Sequence, residues 1–189
     1  MLDGVAWGTV RGGVRVTPAW DALLRGDGLA ASAIFDRAAR RDPDDPWVWR
    51  GLGLAMAERE IEVRSIHHLQ RALALEPDHA ETWYWVGQFA PRDTHADVAL
   101  RALERAVELG PGEADYHAAL AGRLVGENAL GELERALSIN PGHAEALRTS
   151  VWVLERLGRR DDAVEAAEQL ATRLPTAANL GAVSYTHLR

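Results

Sequence analysis

Between about residues 18 and 175, apolar side chains recur every three or four positions, with arginine and carboxylate residues filling the intervals. That spacing matches the 3.6-residue turn of an amphipathic helix and not the two-residue alternation of a strand. Five prolines set the phase of the pattern. Pro43, Pro77, Pro111, Pro141 and Pro175 are separated by 34, 34, 30 and 34 residues. Twelve residues before each proline stands a small side chain, in turn Ala31, Ser65, Ala99, Ala129 and Ala163. One helical turn later comes Phe35, Leu69, Leu103 or Leu133, with Ala167 in the last unit. Five residues before the proline stands Ala38, Ala72, Ala106 or Ala136, and then Leu170. Small residues let two helix axes approach closely, while the larger residue fills the neighbouring groove.

Punctuation places the helices. Asp44 and Asp45 before Pro46 put cap acceptors ahead of a proline whose missing N–H costs nothing in the first turn. Thr94 with Asp97 resembles a capping box, and Gly158 with Asp161 and Asp162 marks the last turn within a pair. The predicted helix pairs are 18–25 with 28–41, 46–58 with 61–75, 80–90 with 95–109, 114–124 with 128–139, and 144–157 with 161–173. The 30-residue unit lacks four residues between Ala121 and Ala129, close to one helical turn, so its apolar face stays in phase and one hairpin shortens.

Downstream of two prolines, Trp49, Leu52, Gly53 and Met56 recur as Trp83, Val86, Gly87 and Ala90. With the alanine, large apolar and proline positions, these resemble the tetratricopeptide repeat over roughly residues 18–175. The next two units depart from the pattern, with His117, Leu120 and Ala121, then Leu147, Ser150 and Val151, yet keep its register. The resemblance implies an all-α, right-handed α-solenoid of antiparallel helix pairs, four full repeats plus a partial N-terminal one, over residues 17–175. Residues 1–16, with glycines at 4, 8, 12 and 13 between valines, read as a loose N-terminal arm. Residues 176–182 read as the start of a further, truncated repeat, whose loss would leave the last pair without a polar cap. Residues 183–189, Val-Ser-Tyr-Thr-His-Leu-Arg, match one translated frame of the transposon-end adapter used in sequencing libraries and are expected to be an artefact.

Composition narrows the function. With 47% apolar and 26% charged residues and a net charge of -7, the 189 residues describe a soluble globular unit without a basic surface for nucleic acid. No signal peptide and no membrane span is expected, which makes the cytoplasm the expected location. The absence of cysteine excludes disulfides and thiolate zinc sites. All 21 basic residues are arginine, which excludes amine chemistry and, beside many alanines and glycines, suggests a GC-rich bacterial source.

Candidate chemistry is sparse. Among seven histidines, His67 and His68 are adjacent, His79 and His143 occupy equivalent turns, and His95 and His117 stand alone, so no metal-ligand spacing arises. Carboxylates such as Glu104 and Glu132 lie near Arg101 and Arg135 and read as solvated helix faces. Ser32, Ser65, Ser138 and Ser150 lie inside predicted helices, with no nucleophile elbow. No catalytic residue and no cofactor is expected.

Tryptophan is the informative residue. Trp49 and Trp83 share one slot, six residues after a proline, and read as core. In the repeat family, the first helices line a groove through positions four, seven, eight and eleven residues after the proline. Carried onto this chain, that resemblance implies a peptide-binding groove of Trp47, Arg50, Leu54, Tyr84, Trp85, Gln88, Arg148 and Trp152. Aromatic and arginine side chains dominate binding hot spots. Family members that dock chaperone tails use lysine and asparagine at these slots. This chain has no lysine, and its eighth slots read Gly51, Trp85, Ala119 and Thr149, so that ligand is disfavoured. The expected function is a non-catalytic interaction module for a peptide or helical segment of a partner protein. The alternative is the recognition arm of a larger enzyme or regulator.

Overall fold

A computed structural model of the chain describes residues 10–11, 13–91 and 95–173. Among them are two short strands, β1 (Val10–Arg11) and β2 (Val14–Arg15), and ten helices. The helices are α1 (Thr17–Leu24), α2 (Gly28–Arg41), α3 (Pro46–Ala57), α4 (Glu62–Leu75), α5 (Ala80–Phe89), α6 (Ala96–Leu109), α7 (Ala114–Ala121), α8 (Gly126–Ile139), α9 (Ala144–Arg156) and α10 (Arg160–Arg173). The chain divides into two compact units, residues 1–99 and 100–189. The fold is all-α with helices packed in consecutive pairs, as the proline spacing predicts.

In the first unit, α1 and α2 form one pair, α3 and α4 the next, and α5 packs on α4. The expected small and large apolar positions are the core. Ala31, Phe35 and Ala38 of α2 are buried against Trp20 of α1 and against Val48, Leu52 and Ala55 of α3. The second unit repeats the arrangement. Ala129, Leu133 and Ala136 of α8 meet Ala121 of α7, Ala146, Val153 and Leu154 of α9, and Ala163 of α10. Burying one such leucine contributes roughly 1.5–3 kcal/mol, and the stripe recurs in every pair.

Side chains in the turns start the helices. Asp27 Oδ1 accepts the Ala30 amide at 2.9 Å, and Asp45 Oδ1 accepts the Trp47 amide at 2.9 Å. Histidine serves in the same way at two positions, where His79 Nδ1 accepts from the Thr82 amide and His143 Nδ1 from the Ala146 amide. Each satisfies one of the amides that a helix start leaves without a partner.

Two expectations need correction. Residues 10–11 and 13–16 are not loose. Val10 pairs with Arg15 and Arg11 with Val14 around Gly13, whose φ of +74° permits the turn, and Val16 is buried in the first core. The shortened hairpin also turns earlier than predicted, with α7 ending at Ala121, not 124, and α8 beginning at Gly126, not 128. Gly126 adopts φ +64°, so the chain reverses in four residues without steric cost. The capping-box residue Thr94 and the segments 1–9 and 174–189, which hold the expected truncated repeat and the adapter match, lie outside the described residues.

Helices approach very closely at Gly51 of α3. A Cβ built there would lie 2.4 Å from the Phe35 ring, so α2 and α3 meet where α3 has no side chain. Within a helix, alanine is ordinarily favoured over glycine by about 1 kcal/mol. Overpacking outweighs that here, so Gly51→Ala is expected to destabilise the protein by about 1–3 kcal/mol. Urea denaturation measures this, and a raised midpoint would show that the ring can yield.

Candidate functional site

The first unit carries a ladder of rings along its first helices. Trp20 of α1 meets Trp47 of α3 edge-on at 6.0 Å between centroids, and Trp47 meets His79, the cap of α5, at 6.4 Å. The Arg50 guanidinium lies 5.2 Å from the Trp47 ring centroid. The family resemblance assigns Arg50 to a binding surface, but it is only 1% exposed. Its Nε donates to Thr82 Oγ1 at 2.9 Å, and its Nη2 donates to Glu76, which is half-exposed at the end of α4. A buried guanidinium needs such partners to offset its desolvation. Arg50 therefore ties α3 to α5 and to the turn between α4 and α5.

The network continues into the cap. Since Thr82 Oγ1 accepts from Arg50, its hydroxyl proton is directed to His79 Nδ1 at 2.8 Å, where the Thr82 amide also donates at 3.2 Å. Nδ1 must then carry a lone pair, which means a neutral His79 protonated on Nε2. Burial, reinforced by the neighbouring Arg50 charge and opposed by Glu76, holds the His79 pKa below its ordinary value of 6.5. Burial likewise lowers His68, with His67 and Arg64 adding to the effect and Asp36 opposing it.

The other predicted residues fall into three environments. Trp85 is 9% exposed and belongs to the interior, a second correction to the predicted surface set. Its slot is buried, as that of Gly51 is one repeat earlier. Trp47, Leu54 and Tyr84 are half-buried, and Gln88 is exposed with its Nε2 donating to the Tyr84 hydroxyl at 3.0 Å. In the second unit, Arg148 is exposed and donates to Glu145 at 3.0 Å. Trp152 is 51% exposed, with the Arg156 guanidinium 4.8 Å from its ring centroid. Among the described residues it is the one exposed tryptophan.

A second recurrent contact escaped the sequence reading. Trp49 and Trp83 are half-buried, and each indole N–H donates at 2.7 Å to the carbonyl of the proline six residues earlier, Pro43 or Pro77. His117 stands in the same slot, and its Nε2 meets the Pro111 carbonyl at 3.0 Å. Its Nδ1 meets Glu132 at 2.7 Å, so His117 is not isolated, and Glu132 is a largely buried partner and not a solvated one. His143, while capping α9, also meets Asp115 through Nε2 at 2.7 Å. The proline-to-ring spacing of six was visible in the sequence. Its meaning was hidden because tryptophan and histidine look unrelated until both are read as ring N–H donors.

Among the described residues, no group of three or more histidine, aspartate or glutamate side chains could hold a metal ion. No helix among them is long and apolar enough to cross a membrane.

Known proteins resemble this chain in sequence and in shape. No protein-family model matches it. It is 28% identical over 106 residues to Superkiller protein 3 of Saccharomyces cerevisiae and 29% identical over 89 residues to the PEX5-related protein of Mus musculus. Those stretches cover 52% and 47% of this chain but only 7% and 16% of the two relatives. Among solved structures, MamA superposes with a TM-score of 0.73 at 23% identity, covering 82% of this chain and 93% of that one. YrrB, a TPR protein with an unusual peptide-binding site, gives a TM-score of 0.73 at 20% identity over 91% of this chain and 90% of that one. TTC0263, a TPR protein of Thermus thermophilus, gives 0.68 at 17% identity over 92% and 97%. The chain has the tetratricopeptide-repeat fold.

The His79 cap makes stability depend on pH. The unfolded chain protonates His79 near its ordinary value of 6.5, while the native ring stays neutral to lower pH. The unfolded state then binds more protons, so stability declines as pH falls below about 6.5 and levels off below the native pKa. His68 adds to the same trend. His79→Asn keeps a cap acceptor without a titrating ring. The expected result is a smaller loss of urea midpoint between pH 7.5 and 5.5 in the variant than in the parent; equal losses would sink this account.

Proposed function

We propose that the chain is a non-catalytic module that binds a segment of a partner protein, and that the outward stripe of α9 contributes a principal contact. The observation that carries this is the half-exposed Trp152 ring with Arg156 over it, one helical turn beyond the exposed Arg148. An exposed indole leaves its hydration cost standing, and tryptophan and arginine are the residue types on which interface energy concentrates. Guanidinium groups beside an aromatic face suit a segment that carries acidic and apolar side chains. In the first unit, Trp47, Leu54, Tyr84 and Gln88 supply what remains of the predicted surface, because Arg50 and Trp85 are committed to the interior. The peptide-binding site of YrrB, a protein of the same fold, supports the same class of function. A cytoplasmic site of action belongs to the same reading.

A second reading rests on length. The stretches matched in Superkiller protein 3 and the PEX5-related protein are small fractions of those proteins, which favours a recognition arm within a larger assembly or polypeptide. Sequencing the source gene across and around the region that encodes this chain separates the two. A catalytic or DNA-binding domain would establish the arm, and further repeats would establish the scaffold.

Co-purification from the source organism supplies a partner for quantitative tests. Trp152→Ala is expected to weaken that partner by about 30-fold, the effect of losing a hot spot of about 2 kcal/mol. Arg148→Ala should weaken it less, since Arg148 is already paired with Glu145. Unchanged affinity in both variants refutes the α9 surface.

A further inference from the structure

On the other flank of α9, away from Trp152, the second unit has a cleft of about 290 Å³ between α8 and α10. Its lining includes Leu130, Leu137, Leu147, Leu154, Ala166 and Gln169. The repeat register explains why the cleft exists. In the first unit, the slot six residues after Pro43 holds Trp49, which stacks on His68 at 5.7 Å and lies 6.0 Å from the Arg71 guanidinium. His68 and Arg71 stand nine and six residues before Pro77. In the second unit, the same three slots first hold His117, Glu132 and Arg135, joined by hydrogen bonds of 2.7 and 2.6 Å. One repeat later, the three slots read Leu147, Ala166 and Gln169, and all three line the cleft. The ring that fills this seam elsewhere is missing, and so are the partners that flank it.

We propose that this cleft is a docking site for an aromatic side chain, carried on a basic segment of a partner protein, which takes the place of the missing ring. Shape and charge both argue for that occupant. The volume lies at the lower end of ligand pockets, which suits one large side chain of a partner and not a cofactor. Leu137 and Ala166, half-buried above the buried Leu147 and Leu154, give the cleft an apolar lining, and an aromatic ring gains most from such burial. The rim is acidic. Glu134, Asp162 and Glu165 face a single cation, Arg159, and Asp162 holds that cation through a 2.6 Å hydrogen bond. Three carboxylates against one guanidinium leave two net negative charges, which favours arginine or lysine on either side of the ring. This site goes beyond the α9 surface proposed above, because the two stripes lie on opposite faces of one helix.

The probe is the peptide acetyl-Arg-Arg-Trp-Arg-Arg-amide, added to the ¹⁵N-labelled full chain. Amide shifts are expected along α8 and α10, concentrated near Leu130, Leu137, Ala166 and Gln169. A peptide with alanine for tryptophan should bind at least about tenfold more weakly, since the ring burial is lost. A peptide with glutamate for arginine should weaken similarly through like-charge contact. Leu147→Trp restores the ring of the earlier repeats from within, and is expected to raise the thermal midpoint and abolish binding. The double variant Glu134→Arg, Glu165→Arg changes exposed rim residues without touching the core and should also lose the peptide, which keeps the test decisive if Leu147→Trp fails to fold. Trp152→Ala should leave this binding intact, so the result is separable from the fate of the α9 surface. Equal affinity for the alanine peptide, or unchanged binding by the charge-reversed variant, would overturn the proposal. Shifts confined to the α9 outward stripe would overturn it as well.

Discussion

In the first unit, helices pack closely where one of them presents a glycine to a large side chain of its neighbour. Phe35 inserts against Gly51 and Leu69 against Gly53, each at a point where an added Cβ would lie well inside contact distance. Close approach of axes at these glycines lets a short first helix with few large residues still cover its neighbour. It also fixes the register, since a shift by one position would put a side chain where the ring must go. Phe35 and Leu69 are buried almost completely at these points, and Leu103 and Leu133 are buried to the same degree in their own repeats.

With the packing fixed at these points, the turns between repeats are left to polar chemistry. A ring N–H holds the proline carbonyl, a side chain two residues beyond the proline caps the next helix, and in the first unit a buried arginine links both to the preceding helix. Neutral histidine serves as well as aspartate in the cap, because its Nδ1 lone pair is the acceptor required. These contacts consume side chains that composition alone would assign to ligand binding.

That is why the fold was more legible than the site. Proline spacing and the alanine and leucine slots place the helices to within a few residues, and the one larger discrepancy, at α7 and α8, follows from a left-handed glycine whose conformation no period reveals. Site residues depend on what each slot meets across a seam, and that differs between repeats. Arg50 and Arg148 occupy equivalent slots, yet Glu76 and Thr82 draw the first inside, while the second is exposed and pairs with Glu145 on its own helix. Glu76 immediately before Pro77 and Thr82 after it were visible as partners for a buried cation, but their convergence on Arg50 depends on how α3, α4 and α5 pack. Trp85 was misassigned for a related reason, since an aromatic residue at a surface slot and one in a wide seam have the same spacing.

The unequal fates of the tryptophans also give the molecule an optical signature. Indoles at 49 and 83 are half-buried and hydrogen-bonded to fixed carbonyls, and those at 20 and 85 are buried, whereas the ring at 152 faces water. A collisional quencher in the solvent would reach residue 152 ahead of these four. Anything that covers α9 would be registered as protection of the most accessible of the described indoles, an intrinsic signal that follows occupancy of that surface.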